Sequence, residues 1–297
     1  MKQLILGTVQ LGLDYGINNK KGKPSSEKAF DILNTAHDNG INLVDTASAY
    51  GDSEKIIGNF IKDTKKNFKI STKIPKLNFD KDILEQVKIS FENSINNLKV
   101  SVIEYYLFHN FNDLVLKPET IDYLCKLKSE GVINNIGVSI YDVPELELIL
   151  KEYKDLINFI QIPFNIFDQR WIKGNLLENA KEAGIEIGAR SVYLQGLFFA
   201  DKRKMDKIHS KTFYYVSKLN ELCKLKNISK EEALFSYVKE QLFIDYILIG
   251  CENKEQLEQN IKIFNKEVKF TNIERECICN NFSDIEKDII DPRRWKY

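Results

Sequence analysis

Along the chain, short runs rich in Val, Ile, Phe and Tyr alternate with longer stretches in which charge and apolar residues recur at helical spacing. The runs are QLILGT (3–8), INLVD (41–45), FKISTK (68–73), IEYYLFH (103–109), INNIGVS (133–139), FIQIP (159–163), IEIGAR (185–190) and DYILIG (245–250). Several are almost continuously apolar, as expected of parallel strands covered by helices on one side and a barrel interior on the other. Residues 26–39 open at Ser26 and carry Phe30, Leu33 and Ala36 on one helical face. Residues 80–98 form a second expected helix, with Asp80 as its N-cap. Further helices are expected over 119–130, 173–183, 210–226 and 230–242, and the region 251–285 reads as helical. Gly40, Gly131 and Gly184 each stand between a helix and the next strand, where glycine supplies a left-handed helix end. Eight strands with intervening helices predict an α/β fold, a (β/α)8 barrel of the TIM type, in one domain over residues 1–297 with extra C-terminal helices. The alternation alone also admits a doubly wound sheet.

Composition narrows the function classes. Lys plus Arg equals Asp plus Glu, 43 of each, so no basic excess points to nucleic acid or an anionic membrane. No apolar run reaches the about 18 residues of a membrane span, and LILG is too short for a secretory signal. A cytoplasmic protein is the expectation, with a small-molecule partner, no membrane and no nucleic acid; the oligomeric state stays open. The five cysteines are odd in number and irregularly spaced, as for reduced thiols. Cys277 and Cys279 lack the further ligands that a zinc site needs, so no metal is expected.

In such a barrel the chemistry belongs at the C-terminal ends of the strands. The second expected strand ends at Asp45 and runs into TASAYG with Tyr50; the third ends at Lys73 and the fourth at His109. Alone, a strand-end Lys is a solvated charge, an Asp a turn former and a His a core group. Delivered together to one rim they suit carbonyl reduction. Hydride addition leaves an alkoxide that needs a proton; a phenol, with an ordinary pKa of about 10, is a weak acid unless a cation stabilises its phenolate. Tyr50 is therefore the expected general acid or base, with Lys73 lowering its pKa, Asp45 holding Lys73, and His109 orienting the carbonyl.

With those residues in place, the sequence resembles the aldo-keto reductase superfamily. GINLVDTASAYGDSE (Gly40–Glu54) is similar to its first signature, ISTKI places Lys73 and YYLFHN places His109, in order over most of the chain. The resemblance implies a nicotinamide dinucleotide bound without a G-x-G-x-x-G fingerprint, NADP(H) favoured over NAD(H). It implies that Ser139 and Gln161 hold the carboxamide, that Gly7 and Thr8 lie beside the nicotinamide, and that Ser191 with the backbone of Leu194, Gln195, Gly196 and Leu197 covers the pyrophosphate. GCENKEQLEQN is similar to the adenosine-phosphate segment, which brings in Gly250, Cys251, Glu252, Asn253, Gln256, Gln259 and Asn260, the last against adenine. Its helix start is an expected phosphate site.

Three positions depart from the common pattern. Ile140 stands where Asn usually follows the strand-five Ser. Arg190 stands where an aromatic residue usually faces the nicotinamide; a guanidinium there should favour the reduced, uncharged ring. Gln256 stands where many NADPH-preferring members carry Arg, with Lys254 close by. Tyr15, Phe111 and Trp171 are the candidate substrate contacts. LGTVQLGLDYGINNKKGKPS, ARSVYLQGLF and the C-terminal DPRRWKY resemble a bacterial branch linked to surface-polysaccharide and unusual-sugar biosynthesis, which implies a sugar or nucleotide-sugar substrate and a role for Arg293 and Arg294 toward an anion. The basic run around Lys202–Lys207 reads as a polar loop. The competing readings are a dinucleotide-binding regulatory or interaction subunit, and another barrel enzyme such as a lyase or hydrolase.

Overall fold

Each of the eight apolar runs forms a strand in the computed structural model, which describes residues 2–115 and 118–295. The strands are β1 Gln3–Gly7, β2 Leu43–Asp45, β3 Lys69–Ile74, β4 Ile103–Phe108, β5 Ile133–Ser139, β6 Phe159–Pro163, β7 Glu186–Arg190 and β8 Tyr246–Gly250. They pair in parallel in chain order, and β8 closes onto β1 from Gln3–Tyr246 to Gly7–Gly250. That closure excludes the doubly wound sheet.

Side-chain alternation sorts each strand into two layers. Ile5, Leu43, Tyr105, Leu107, Phe159, Tyr246 and Leu248 fill the barrel. Their neighbours Leu4, Leu6, Val44, Tyr106, Phe108, Ile160 and Ile247 join the larger core under the helices. The Phe159 backbone and ring take the space that side chains would need at two inward positions. A Cβ on Gly137 would stand 2.6 Å from the Phe159 carbonyl oxygen, and one on Gly188 2.8 Å from its ring. At the N-terminal end of the barrel, Glu186 accepts hydrogen bonds from Tyr105 (2.6 Å) and Tyr246 (3.0 Å), tying β4, β7 and β8 together.

The helices follow the expected order with shifted ends. The first long helix begins at Ser26 as expected, Ser26–Asp38, capped by Ser25, whereas Asp82, rather than Asp80, caps Ile83–Leu98 by accepting the Glu85 N–H. Gly40, Gly131 and Gly184 all have positive φ, as anticipated. The C-terminal region divides into Lys254–Asn265 and Asn272–Phe282. Helices at Ser53–Thr64 and Val143–Leu148 complete the ring. The basic run is a helix, Lys202–Ile208, capped by Asp201, and not a polar loop. Leu116, Lys117 and the last two residues of DPRRWKY lie outside the described residues. Among the described residues no helix is long and apolar enough to cross a membrane.

Candidate active site

The two-residue period that fills the barrel also builds its rim. Counting two residues on from Leu43, Leu107 and Phe159 along the inner face gives Asp45, His109 and Gln161. Lys73, Ser139 and Arg190 occupy the equivalent places on β3, β5 and β7, because Ile70, Val138 and Ala189 face the outer core. A strand pattern chosen for packing thus ends in a ring of polar side chains.

Lys73 and Asp45 form the buried centre of that ring. The Lys73 ammonium donates to Asp45 Oδ2 at 2.6 Å and to the Thr46 carbonyl at 2.8 Å, with the two side chains 2% and 5% exposed. Asp45 Oδ1 accepts from Ser71 (2.8 Å) and from the Gln161 amide (2.5 Å). The Asp45 carbonyl accepts from Thr8 Oγ1 at 2.9 Å, and Ser53 donates to Thr8 Oγ1 at 2.8 Å. A charged pair out of water is stable only when its remaining hydrogen-bonding positions are filled, and these contacts do so. The Tyr50 ring lies 5.2 Å from the Lys73 ammonium and meets the His109 ring edge-on, centroids 5.7 Å apart.

Electrostatics separates the protonation states. Burial, reinforced by Asp45, pushes the Tyr50 phenol well above its ordinary value, and Arg190 opposes this. The phenol is thus raised overall, not lowered as expected from a neighbouring cation alone, because desolvation outweighs the positive charge around it. Burial also lowers Lys73, against the pull of Asp45. His109 is pushed down to about 4 by burial and then by Lys73, so its imidazole is neutral at pH 7.

These groups open into a cavity of about 570 Å³ that leads from Tyr50 and His109 to the start of the helix Lys254–Asn265. The wall includes the four rim residues together with Gly7, Thr8, Tyr15, Ser139, Gln161, Arg190, Ser191, Gln195, Gly196, Gly250, Cys251, Glu252, Gln256, Gln259 and Asn260. Five sequence candidates fall outside it. Phe111 and Trp171 are corrected to core residues, 7% and 1% exposed, because their apolar surfaces pack beneath the helices. Leu194 and Leu197 turn fully inward. Asn253 spends its side chain capping the helix, accepting the Gln256 N–H. Conversely, Gln10, Tyr141, Tyr193 and Glu231 line the cavity and were not singled out; nothing in their local sequence separates them from surface polar residues.

Arg190 stacks 4.0 Å from the Tyr141 ring centroid and donates to the Ile140 carbonyl at 3.2 Å. Arg293 lies over the same ring at 3.6 Å, its charge paired with Asp291 at 2.6 Å. Asn260 accepts from the Tyr193 hydroxyl at 2.7 Å. Between β7 and the helix Lys202–Ile208, Ser191, Leu194, Gln195 and Gly196 all have positive φ, from 44° to 90°. Three of them are not glycine, and such geometry costs about 1–3 kcal/mol per residue. This segment is bound across the cavity to the β1 loop: Ile17 N–H donates to the Gln195 carbonyl (3.1 Å) and Asn18 to the Gly196 carbonyl (2.7 Å).

The residues present fit a long ligand with polar groups at several points. Gln10 Oε1 and Arg190 Nε are buried without partners and belong to the cavity wall. Gly250 leaves room there, since a Cβ would meet Gln10 at 2.5 Å.

Comparison with known proteins gives one consistent answer. The model of the aldo/keto reductase family matches residues 3–275. An uncharacterized oxidoreductase of Bacillus subtilis, YqkF, is 28% identical and aligns over 89% of this chain and 92% of its own. D-arabinose 1-dehydrogenase of Saccharomyces cerevisiae is 28% identical over 47% of this chain and 43% of its own. A solved putative aldo-keto reductase of Pseudomonas aeruginosa superposes with a TM-score of 0.65 at 25% identity, covering 88% of each chain.

Proposed function

Because the chain belongs to the aldo/keto reductase family, the NAD(P)-dependent oxidoreductases of small carbonyl and sugar substrates, we propose that Tyr50 is its proton donor and acceptor. The observation that carries this reading is the buried Lys73–Asp45 pair held against the Tyr50 ring, with a neutral His109 beside it.

When bound, the dinucleotide supplies or accepts the hydride. The chain's own residues do the rest. Tyr50, fully protonated in its buried setting, gives its proton to the carbonyl oxygen as charge develops there. His109, being neutral, donates one hydrogen bond to the same oxygen and fixes its position. Lys73 is held in place by Asp45 and the Thr46 carbonyl, and its charge steadies the phenolate left behind. In alcohol oxidation the same groups run in reverse. Ser139 and Gln161 would hold the carboxamide, with the Gln161 amide nitrogen already given to Asp45. Arg190 disfavours a cationic, oxidised ring at that place. The strained strap from Ser191 to Gly196 would cover the pyrophosphate. The NADP(H) preference implied by the resemblance turns on what meets the 2′-phosphate at the far end of the cavity.

The substrate we propose is the carbonyl or hydroxyl of a sugar or nucleotide sugar. Tyr15, Asn18 and Tyr141 give the cavity the mixed polar and aromatic surface that sugars bind, and one relative is a sugar dehydrogenase. The test is dinucleotide consumption with a panel of simple aldehydes, aldoses and phosphorylated sugars. Turnover of the sugars above the simple aldehydes supports the reading. Tight dinucleotide binding with no turnover of any member would move the assignment to a regulatory subunit.

A further inference from the structure

Hydride transfer requires the reacting ring to lie beside Tyr50 and His109. The rest of the dinucleotide must then follow the cavity, which puts the adenosine ribose at its other end, where Glu231, Glu252, Gln256 and Asn260 form the wall. Charge along the cavity is one-sided. Among the described wall residues the lysines and arginines are Lys73, paired with Asp45, and Arg190, all at the Tyr50 end, whereas the carboxylates of Glu231 and Glu252 stand at the adenosine end with no lysine or arginine in the wall beside them.

The nearest basic residues in sequence do not line the wall. Lys254 faces Glu258 at 3.7 Å, and Lys230 donates to the Phe198 carbonyl at 2.6 Å. The turn leading into the helix Lys254–Asn265 is also partly satisfied by the chain itself. The Glu252 N–H donates to Gln256 Oε1 and the Gln256 N–H to Asn253 Oδ1, both at 2.9 Å. A helix start attracts a phosphate through free N–H groups; here the Gln256 N–H is already taken by the N-cap Asn253.

We propose, resting on the hydride-transfer reading, that Glu231 and Glu252 make this chain select NAD(H) over NADP(H). A carboxylate accepts hydrogen bonds from the ribose hydroxyls, as an acidic residue does in open α/β dinucleotide folds. The same carboxylate repels a 2′-phosphate, and two of them do so together. This reverses the NADP(H) preference implied by the resemblance.

Titration calorimetry of the full chain with NADH and with NADPH tests it without turnover. NADH should bind about tenfold more tightly or better, a gap of about 1.4 kcal/mol. The gap should narrow as salt is raised, shrink in the Glu231→Gln/Glu252→Gln double variant, and close or invert in Glu252→Lys. Equal or tighter NADPH binding by the unaltered chain overturns the proposal, and so does a gap that survives in the double variant. Binding of neither dinucleotide would sink the hydride-transfer reading itself, a result distinct from a wrong preference.

Discussion

Lys73 and Asp45 show how far the site depends on mutual compensation. Each is a charge that burial disfavours, and each is tolerated because the other, with Thr46, Ser71 and Gln161, completes its hydrogen bonds. Lys73→Met leaves Asp45 buried without its counter-ion and is expected to lower unfolding free energy by about 3–5 kcal/mol. Denaturant titration checks this, and the Lys73→Met/Asp45→Asn double variant should recover part of the loss. His109 makes a second prediction at the same scale. Its folded pKa of about 4 lies below the ordinary value near 6.5, so the unfolded chain takes up the proton first as pH falls. The stability attached to neutral His109 is complete above about pH 6.5 and is lost as pH falls toward 4. In Glu- and Asp-matched conditions, His109→Gln should flatten the fall of melting temperature between pH 7 and pH 4; an unchanged profile would contradict the buried, neutral imidazole. Asp45, Lys73 and His109 were legible because each ends an apolar run, and Tyr50 because it lies in the loop that follows one. Gln10, Tyr141 and Glu231 were not, because their role depends on the cavity they meet rather than on their neighbours in sequence.

At the scale of elements, strands were read more surely than helices. An apolar run bounded by polar residues has sharp edges, so the eight strands lie within two residues of their expected limits. Ser53–Thr64 is harder to read because Gly58 interrupts its middle, yet a Cβ there would stand 2.0 Å from the Asn97 carbonyl. That glycine serves a close helix–helix crossing, a long-range fact that local propensity opposes. Trp171 and Phe111 misled for the opposite reason: large rings near strand ends resemble pocket walls but here complete the core. The Tyr105–Glu186–Tyr246 cluster ties three strands at the barrel end away from the chemistry. Glu186→Ala strips two half-buried hydroxyls of their acceptor and should cost about 1–3 kcal/mol of stability. Turnover per folded molecule should stay unchanged. A matching loss of turnover in correctly folded protein would mean that the two ends of the barrel are coupled.

The whole molecule divides its labour along the barrel axis. Tight side-chain packing and the tyrosine–glutamate cluster close the N-terminal end, and the same strands deliver the reactive groups to the C-terminal end, as barrels of this kind do. A cavity then carries the site away from the rim under a strained strap joined to the β1 loop. The closed barrel gives the fold, and the family match over residues 3–275 gives the oxidoreductase class; the assignment of the proton to Tyr50 is the proposal that rests on the arrangement of the rim. Tyr50→Phe tests it most directly, with dinucleotide binding measured by calorimetry beside steady-state turnover. The variant should bind dinucleotide as the unaltered chain does and lose turnover by about 10²–10⁴-fold. Turnover within a few-fold of the unaltered protein would contradict Tyr50 as the acid.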